Sequence, residues 1–259
     1  MKTPAISTLG LRTLELVGHL GRVALFLGHI GRVAVKKPYR LRRLVNEVFD
    51  SGVLSLAIIC LSGATVGAVL GLQGYTTLSR FGASGSLGAV VGLSLVRELG
   101  PVLTALLVTG RAGSAMAAEI ASMVTTGQID GLRMMSIDPV DFVVAPKALA
   151  MLFVLPMLSA LFIVFGFFGG YIVGVQLLGL DGGMYLSSLE NSIEFHDDVA
   201  QSLVKAVVFA ALVGTIATYR GFHAEPTSAG VSAATTGTVV AASLAILLFD
   251  YVITALWSV

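Results

Sequence analysis

The sequence contains few charged residues and almost no cysteine. Only 12% of its 259 residues are Asp, Glu, Lys or Arg, and 56% are hydrophobic, whereas soluble domains are roughly one quarter charged. This scarcity of charge excludes an ordinary soluble domain and predicts an integral membrane protein. The single cysteine, Cys60, lies in an apolar run and excludes a disulfide framework. The net charge of +1 gives no indication of a nucleic-acid partner.

Motifs for catalysis and nucleotide binding are also missing. The sequence contains no G-x-x-x-x-G-K-[ST] phosphate loop, no G-x-S-x-G, no H-E-x-x-H and no Cys/His cluster. We therefore expect no catalytic residue, no metal ligand and no bound cofactor, so that uphill transport would need another subunit or an ion gradient. For His196, Asp197 and Asp198 we favour an ordinary solvated turn over a metal site. The N-terminus lacks the features of a signal peptide, so we expect it to be retained.

Five apolar segments are long enough to cross a bilayer, which takes about 20 residues per helix. They are residues 53–72, 87–108, 148–175, 199–219 and 237–257. The third segment is overlong and contains Pro156, Gly166, Gly169 and Gly170, so we expect it to be tilted or bent. The sequence therefore predicts an all-α membrane protein with five transmembrane helices.

The first fifty residues form a different kind of segment. Their apolar residues alternate with Arg and His, and the string GHLGRVA at residues 18–24 recurs as GHIGRVA at residues 28–34. A basic amphipathic segment just before a span is typical of a helix that lies in the membrane interface. We therefore expect residues 1–50 to form an N-terminal interfacial segment, with His19 and His29 as interfacial polar residues rather than metal ligands.

The distribution of positive charge predicts the orientation, because cytoplasmic segments carry an excess of Lys and Arg. Nine such residues precede the first span: Lys2, Arg12, Arg22, Arg32, Lys36, Lys37, Arg40, Arg42 and Arg43. The connection at residues 176–198 has five acidic residues and no Lys or Arg. We expect the N-terminus to be cytoplasmic (the inner side) and the C-terminus to be outside (the outer side).

Four charged residues lie within the predicted spans. Arg97 and Glu98 are adjacent in the second span, just before Gly100 and Pro101. A charge near the bilayer centre costs about 2.5–3.5 kcal/mol on insertion scales, so this pair needs a protein, water or substrate partner. A substrate pathway is favoured, and a structural pair is the alternative. Counting helical rise from the outer ends of spans four and five places Lys205 and Asp250 at similar depth, where we expect them to pair.

The connection between spans two and three predicts a helical element on the inner side. Small residues recur from Gly110 to Ala121, a spacing that lets a helix approach its neighbour closely. Farther along, apolar residues are interleaved with charged ones up to Asp138 and Pro139, where a helix must end. Such an element either packs within the protein or couples it to a nucleotide-binding partner.

Several motifs resemble the MlaE family of permeases, the membrane subunits of the Mla phospholipid-trafficking ABC transporter of Gram-negative bacteria. They are RELGPVLTALLVTGRAGSAMAAEIASM at residues 97–123, QIDGLRMMSIDP at residues 128–139, PTSAGVSAATTGTVV at residues 226–240 and GLQGY at residues 71–75. The resemblance extends from about residue 40 to the end, so residues 51–259 are expected to form the permease domain. Gly127 and Gly131 depart from the family pattern.

The resemblance implies partners and a substrate. It implies a homodimer in the bacterial inner membrane, a cytoplasmic ABC ATPase that holds ATP and Mg, a small STAS-domain protein bound to that ATPase, and a periplasmic hexameric MCE lipid-binding protein. Glycerophospholipid would move between the inner membrane and the MCE protein to maintain outer-membrane lipid asymmetry. This chain would be a permease subunit without its own ATP site.

Two groups of candidate site residues follow. For lipid binding we expect Arg97 and Glu98, since an Arg fork can donate two hydrogen bonds to a phosphate, with Leu70, Tyr75 and Leu78 as acyl-chain contacts. The expected residues for coupling to the ATPase are Glu119, Met123, Gln128, Asp130, Leu132 and Arg133.

Two other classes of function compete with the permease. An ion-gradient-driven secondary transporter would require inverted repeats and several intramembrane acids, whereas five spans do not divide into equal halves. A non-transporting membrane scaffold would leave Arg97 and Glu98 as a structural pair.

Overall fold

Five long apolar helices form the body of the protein. The computed structural model describes residue 18, residues 21–32 and residues 41–257, and every regular element in these ranges is helical. The helices that are long and apolar enough to cross a membrane are Arg42–Arg80, Ser84–Thr125, Val140–Leu177, Phe195–Phe222 and Ser228–Trp257. They are called spans one to five. The predicted all-α architecture is confirmed, and each helix extends beyond the apolar segment that indicated it.

The described part of the chain contains eleven α-helices. They are α1 (residues 21–32), α2 (Leu41–Gly52), α3 (Leu56–Arg80), α4 (Leu87–Ser94), α5 (Gly100–Val108), α6 (Ser114–Thr125), α7 (Gln128–Met134), α8 (Ala145–Tyr171), α9 (Gly182–Ser192), α10 (Ala200–Phe222) and α11 (Ser228–Trp257). Span one joins α2 and α3, span two joins α4, α5 and α6, and the other spans are built on α8, α10 and α11. The separation of residues 1–50 from residues 51–259 stays a prediction, since α2 runs across that boundary.

The helix α1 is consistent with the predicted interfacial segment. Its Ile30 is buried against Val140, Val144 and Ala145 at the inner end of span three. Phe26 packs edge-on against Tyr219 near the end of α10, with ring centroids 5.5 Å apart. Phe26 and Ile30 of α1 thus face the bundle, whereas Leu25 and Leu27 are exposed. His19 and most of residues 1–20 lie outside the described residues.

Span two is longer than the sequence predicted. The apolar segment ends at Val108, but the helix continues through a π-helical turn at Thr109–Gly113 into α6. The small residues of α6 explain the extension, because they let it pack closely between α10 and α11. A Cβ atom on Gly221 of α10 would lie 2.8 Å from the carbonyl oxygen of Ala117. The small residues from Gly110 onward, which were predicted to lie in the connection, thus continue the helix of span two, and α7 is the separate helix of the connection.

Spans one and three are in direct backbone contact. Gly63, Gly67 and Gly71 follow one another at intervals of four residues on α3 and face α8. A Cβ atom on Gly67 would overlap the carbonyl oxygen of Gly166. Conversely, a Cβ atom on Gly169 of α8 would overlap the carbonyl oxygen of Ala64 on α3. Small residues at this spacing are typical of close helix pairs in membranes. The glycines of the third span therefore serve this contact, and α8 continues through Pro156.

The outer connection folds back onto the bundle. Its helix α9 packs against α4 so closely that a Cβ atom on Gly88 would overlap the carbonyl oxygen of Tyr185. Burial raises the pKa of Tyr185 to about 12. The side chain of Asp181 caps α9 by accepting a hydrogen bond of 2.8 Å from the amide of Met184. One face of α4, at the outer end of span two, is therefore covered by α9.

Candidate functional site

Arg97 and Glu98 lie on a π-helical turn, Leu95–Leu99, inside span two. Isolated π-helical turns within α-helices are frequent at functional sites. Pro101 follows and has no amide hydrogen to donate to the carbonyl four residues earlier, that of Arg97. The ammonium group of Lys205 donates to this carbonyl oxygen over 2.9 Å. Lys205 of span four thus supplies the hydrogen bond to the Arg97 carbonyl that Pro101 cannot donate.

Lys205 is the centre of a buried ion cluster. It is fully buried, and its Nζ lies 2.5 Å from Glu98 Oε2 and 2.8 Å from Asp250 Oδ1. Lys205 donates hydrogen bonds to Glu98 and to the carbonyl of Arg97, and its contact with Asp250 is an ion pair. The predicted pair of Lys205 with Asp250 is confirmed. Glu98 joins the same lysine, and Thr254 Oγ1 donates to Glu98 Oε1 over 3.3 Å.

Arg97 has a different partner from Glu98, since consecutive side chains of a helix point in different directions. Its Nε lies 2.5 Å from Oδ1 of Asp198, which is fully buried. The other carboxylate oxygen of Asp198 accepts from the amide of Glu194 over 2.8 Å. The interpretation of Asp198 as part of a solvated turn was therefore wrong, and sequence reasoning missed it as a site residue. Its position next to the start of span four was the available signal.

The cluster carries an excess of negative charge. It contains two cations, Arg97 and Lys205, and three carboxylates, those of Glu98, Asp198 and Asp250. Buried charges are tolerated only when paired and hydrogen-bonded. The side chain of Arg97 remains 49% exposed, so part of its guanidinium is free to contact another anion.

A cavity of about 270 Å³ opens beside this cluster. This outer cavity is lined by Arg97, Glu98, Asp197, Asp198, Gln201, Thr254 and Trp257. Binding sites for drug-sized molecules have volumes of about 300–1,000 Å³. The outer cavity therefore has room for a small polar group such as a lipid headgroup, but not for a whole phospholipid.

The predicted acyl-chain contacts lie elsewhere. Leu70, Tyr75 and Leu78 are on α3, where they are partly buried and pack against the apolar core. None of the three lines the outer cavity. The structure thus brings Arg97 and Glu98 together in one cavity and leaves the three α3 residues apart from it.

A second ion cluster lies at the inner end of the bundle. Lys147 of α8 is buried, and its Nζ lies 2.8 Å from Oε1 of Glu47 on α2 and 2.7 Å from Oε2 of Glu119 on α6. The predicted coupling residue Glu119 is therefore held by an ion pair within the chain. Next to it lies a groove of about 630 Å³, the inner groove. Met123, Gln128 and Leu132 line this groove together with Glu119.

The two remaining coupling candidates are on α7. Asp130 and Arg133 pair over 2.9 Å, and both side chains are mostly exposed. Gly127 begins this helix with a φ of 73°, a left-handed conformation that favours glycine. The Arg133 guanidinium lies 5.7 Å from the ring centroid of Phe222, at the end of span four. The structure thus places the six coupling candidates on α6 and α7, around one inner surface.

The histidines form no metal site in the described part of the chain. His29 Nε2 lies 3.0 Å from Asp138 Oδ2, which ties α1 to the start of span three. No group of three or more His, Cys, Asp or Glu residues suited to a metal ion occurs among the described residues.

Comparison with known proteins connects this arrangement to one family. The family model described as Permease MlaE matches residues 44–256. The chain is 47% identical over 253 residues to the intermembrane phospholipid transport system permease protein MlaE of Haemophilus influenzae, covering 97% of this chain and 96% of that protein. A probable ABC transporter permease protein of Rickettsia typhi is 39% identical, covering 95% of each chain. The chloroplastic protein TRIGALACTOSYLDIACYLGLYCEROL 1 of Arabidopsis thaliana is 28% identical, covering 83% of this chain and 61% of that protein.

Proposed function

Because the chain belongs to the MlaE family of permeases, we propose that it is the membrane subunit of an ABC transporter that moves glycerophospholipid. The transfer takes place between the inner membrane and a periplasmic MCE protein and maintains the lipid asymmetry of the outer membrane. The observation that carries this proposal is the 47% identity, over 97% of the chain, to a protein named as an intermembrane phospholipid transport permease.

The proposed partners supply what this chain lacks. A cytoplasmic ABC ATPase binds ATP and Mg and hydrolyses the nucleotide, since this sequence has no phosphate loop. The chain pairs with a second copy, a STAS-domain protein binds the ATPase, and a hexameric MCE protein receives or delivers lipid outside. The N-terminus is cytoplasmic and the C-terminus periplasmic, an orientation supported by the nine basic residues before span one.

Arg97 is the proposed phosphate ligand in the outer cavity. Its half-exposed guanidinium has donors beyond the Nε that binds Asp198. A lipid phosphate that enters the cavity can therefore share Arg97 with Asp198. Glu98 holds Lys205, which keeps the second cation beside the same cavity. Leu70, Tyr75 and Leu78 contact acyl chains along α3 in this proposal, so a bulky side chain at Leu78 blocks lipid passage.

The proposed coupling surface is formed by α6 and α7. Asp130 and Arg133 are exposed and suited to contact the ATPase directly. Glu119 is held by Lys147, which is also bound by Glu47. A displacement of α6 by the ATPase would therefore pull on spans one and three through this lysine. Met123, Gln128 and Leu132 line the adjacent inner groove.

Site-specific photo-crosslinking tests the lipid site. A photo-crosslinking residue in place of Gln201 lies in the outer cavity without removing a member of the ion cluster. Leu244 on α11 is 64% exposed and, in the same experiment, reports contact with bulk membrane lipid. We expect phospholipid labelling at both positions in cells, and we expect Arg97→Gln to reduce labelling severalfold at position 201 only.

A photo-crosslinking residue in place of Asp130, on the aqueous side, measures the background level of lipid labelling. If position 201 gave no more labelled lipid than position 130, or if Arg97→Gln left its labelling unchanged, the lipid site would be wrong. Reconstituted lipid transfer that requires ATP and the ATPase, and persists after ion gradients are collapsed, separates this function from a secondary transporter.

A further inference from the structure

A cavity of about 480 Å³ lies at the inner end of the bundle, away from both ion clusters. It is lined by α1, the end of α10, residues 223–225 and the first two turns of α11. Two arginines line it, Arg22 from α1 and Arg220 from α10. Among the described residues neither of these side chains forms an ion pair or a hydrogen bond. This arginine cavity therefore holds two guanidinium groups whose donors are available.

The position of Arg220 depends on a glycine. A Cβ atom on Gly237 of α11 would overlap Nη1 of Arg220. The missing side chain thus gives the guanidinium room to lie across the neighbouring helix. A Cβ atom at this position would make the end of the Arg220 side chain shift. Gly237 therefore permits the present position of this exposed guanidinium group.

The remaining walls combine polar and aromatic groups. The Nδ1 atom of His223 donates to the carbonyl oxygen of Tyr219 over 3.0 Å, which directs Nε2 away from that carbonyl. The Tyr219 and His223 rings stack with centroids 4.2 Å apart. Glu225 also lines the cavity, so the two arginines leave one net positive charge when His223 is neutral.

From these features we propose that the arginine cavity binds a phosphate group, with the headgroup of an anionic phospholipid of the inner leaflet as its source. A phosphate diester matches the two guanidinium forks, which donate paired hydrogen bonds to phosphate oxygens. The cavity opens at the end of a membrane span, where lipid headgroups lie. The bound lipid holds α1 against spans four and five, beside Phe222, whose ring centroid lies 5.7 Å from the guanidinium group of Arg133 on α7.

Retained lipid measures this binding. The full-length protein is incorporated into phosphatidylcholine nanodiscs with or without phosphatidylglycerol. It is then released, and native mass spectrometry counts the lipids that remain bound. We expect the wild type to retain one additional phosphatidylglycerol molecule per chain. In the Arg22→Gln/Arg220→Gln variant, the fraction of chains that retain this lipid should fall at least about tenfold, because two charge-assisted contacts are lost. Arg42→Gln, an exposed arginine outside the cavity, should retain lipid like the wild type.

A second variant keeps every charge. Gly237→Ala displaces Arg220 and should also lower retention, which protects the test against a misfolded double variant. If millimolar inorganic phosphate or glycerol 3-phosphate displaced the retained phosphatidylglycerol, the anion site would be supported, and its ligand would be assigned to a soluble phosphate instead of a lipid headgroup. Equal retention by the wild type and the double variant, or an equal loss in Arg42→Gln, would overturn the proposal. Transport is not measured, so this result is independent of the proposed function.

Discussion

Two buried lysines occupy opposite halves of the bundle, and each is bound by two carboxylates. Lys205 connects spans two, four and five through Glu98 and Asp250. Lys147 connects spans one, two and three through Glu47 and Glu119. Both clusters thus include a carboxylate of span two. The long second helix therefore joins the outer cavity to the inner surface.

The two lysines differ in what surrounds them. Lys205 also binds a backbone carbonyl, and its cluster includes Arg97 beside a cavity. Each lysine has one partly exposed partner, since the side chain of Glu119 is 51% exposed and that of Glu98 is 41% exposed. The lysines differ in that Lys205 also satisfies a backbone carbonyl of span two, whereas Lys147 binds side chains only. The same grouping of one lysine and two acids therefore fixes a backbone turn beside the outer cavity and holds helix ends together at the inner surface.

The largest expected difference concerns the loss of each lysine. Lys205→Gln leaves Glu98 and Asp250 without their cation inside the membrane, and breaking a buried pair costs about 3–5 kcal/mol. Lys147→Gln should cost only about 1–3 kcal/mol, because it leaves no backbone carbonyl without its donor and Glu119 is half exposed. Thermal unfolding of both variants in the same detergent measures this, with Arg80→Gln as an exposed control. Equal losses of melting temperature would remove the distinction between the two clusters.

A smaller effect is expected when an acid of the outer cluster is neutralised. Asp250→Asn leaves Lys205 paired with Glu98, so it should destabilise the protein less than Lys205→Gln, by about 1–2 kcal/mol. Combining Asp250→Asn with Lys205→Gln should recover part of the loss caused by Lys205→Gln, since one unpaired carboxylate is removed with the cation. The melting temperatures of the two single variants and the double variant test this coupling. Simple additivity would argue against the pair.

The smallest expected effect on stability is at the exposed pair of α7. Asp130→Lys should reduce copurification of the ATPase severalfold and change the melting temperature little, because Asp130 is solvated. Glu119→Lys should reduce both, since it places a second cation beside Lys147. Unchanged copurification in both variants would contradict the proposed coupling surface.

Much of the fold could be predicted because apolar length alone identifies a span. All five predicted segments lie inside the helices found here. The continuation of span two beyond Val108 could not be predicted, since it depends on Ala117 and its neighbours packing against Gly221 of another span. The contact of Gly67 with Gly166 likewise involves residues about a hundred positions apart, and the sequence indicated only small residues.

The parts of the candidate site that could be predicted are those identified by a charged residue in an apolar segment and by its depth along the helix. Arg97 and Glu98 are conspicuous in an apolar segment, and counting helical rise was enough to pair Lys205 with Asp250. Asp198 was missed because it follows a connection that appeared solvated. The packing of α9 against α4 brings that connection onto span two, and no local pattern around Asp198 indicates this.

The glycine contact between spans one and three also limits the route of a lipid through the protein. The backbones of α3 and α8 meet at Gly67 and Gly166 with no space for even one methyl group. An acyl chain therefore cannot slide between these two helices. The path between spans one and three is therefore closed, and the lipid route proposed here, which ends at Arg97, passes between other helices.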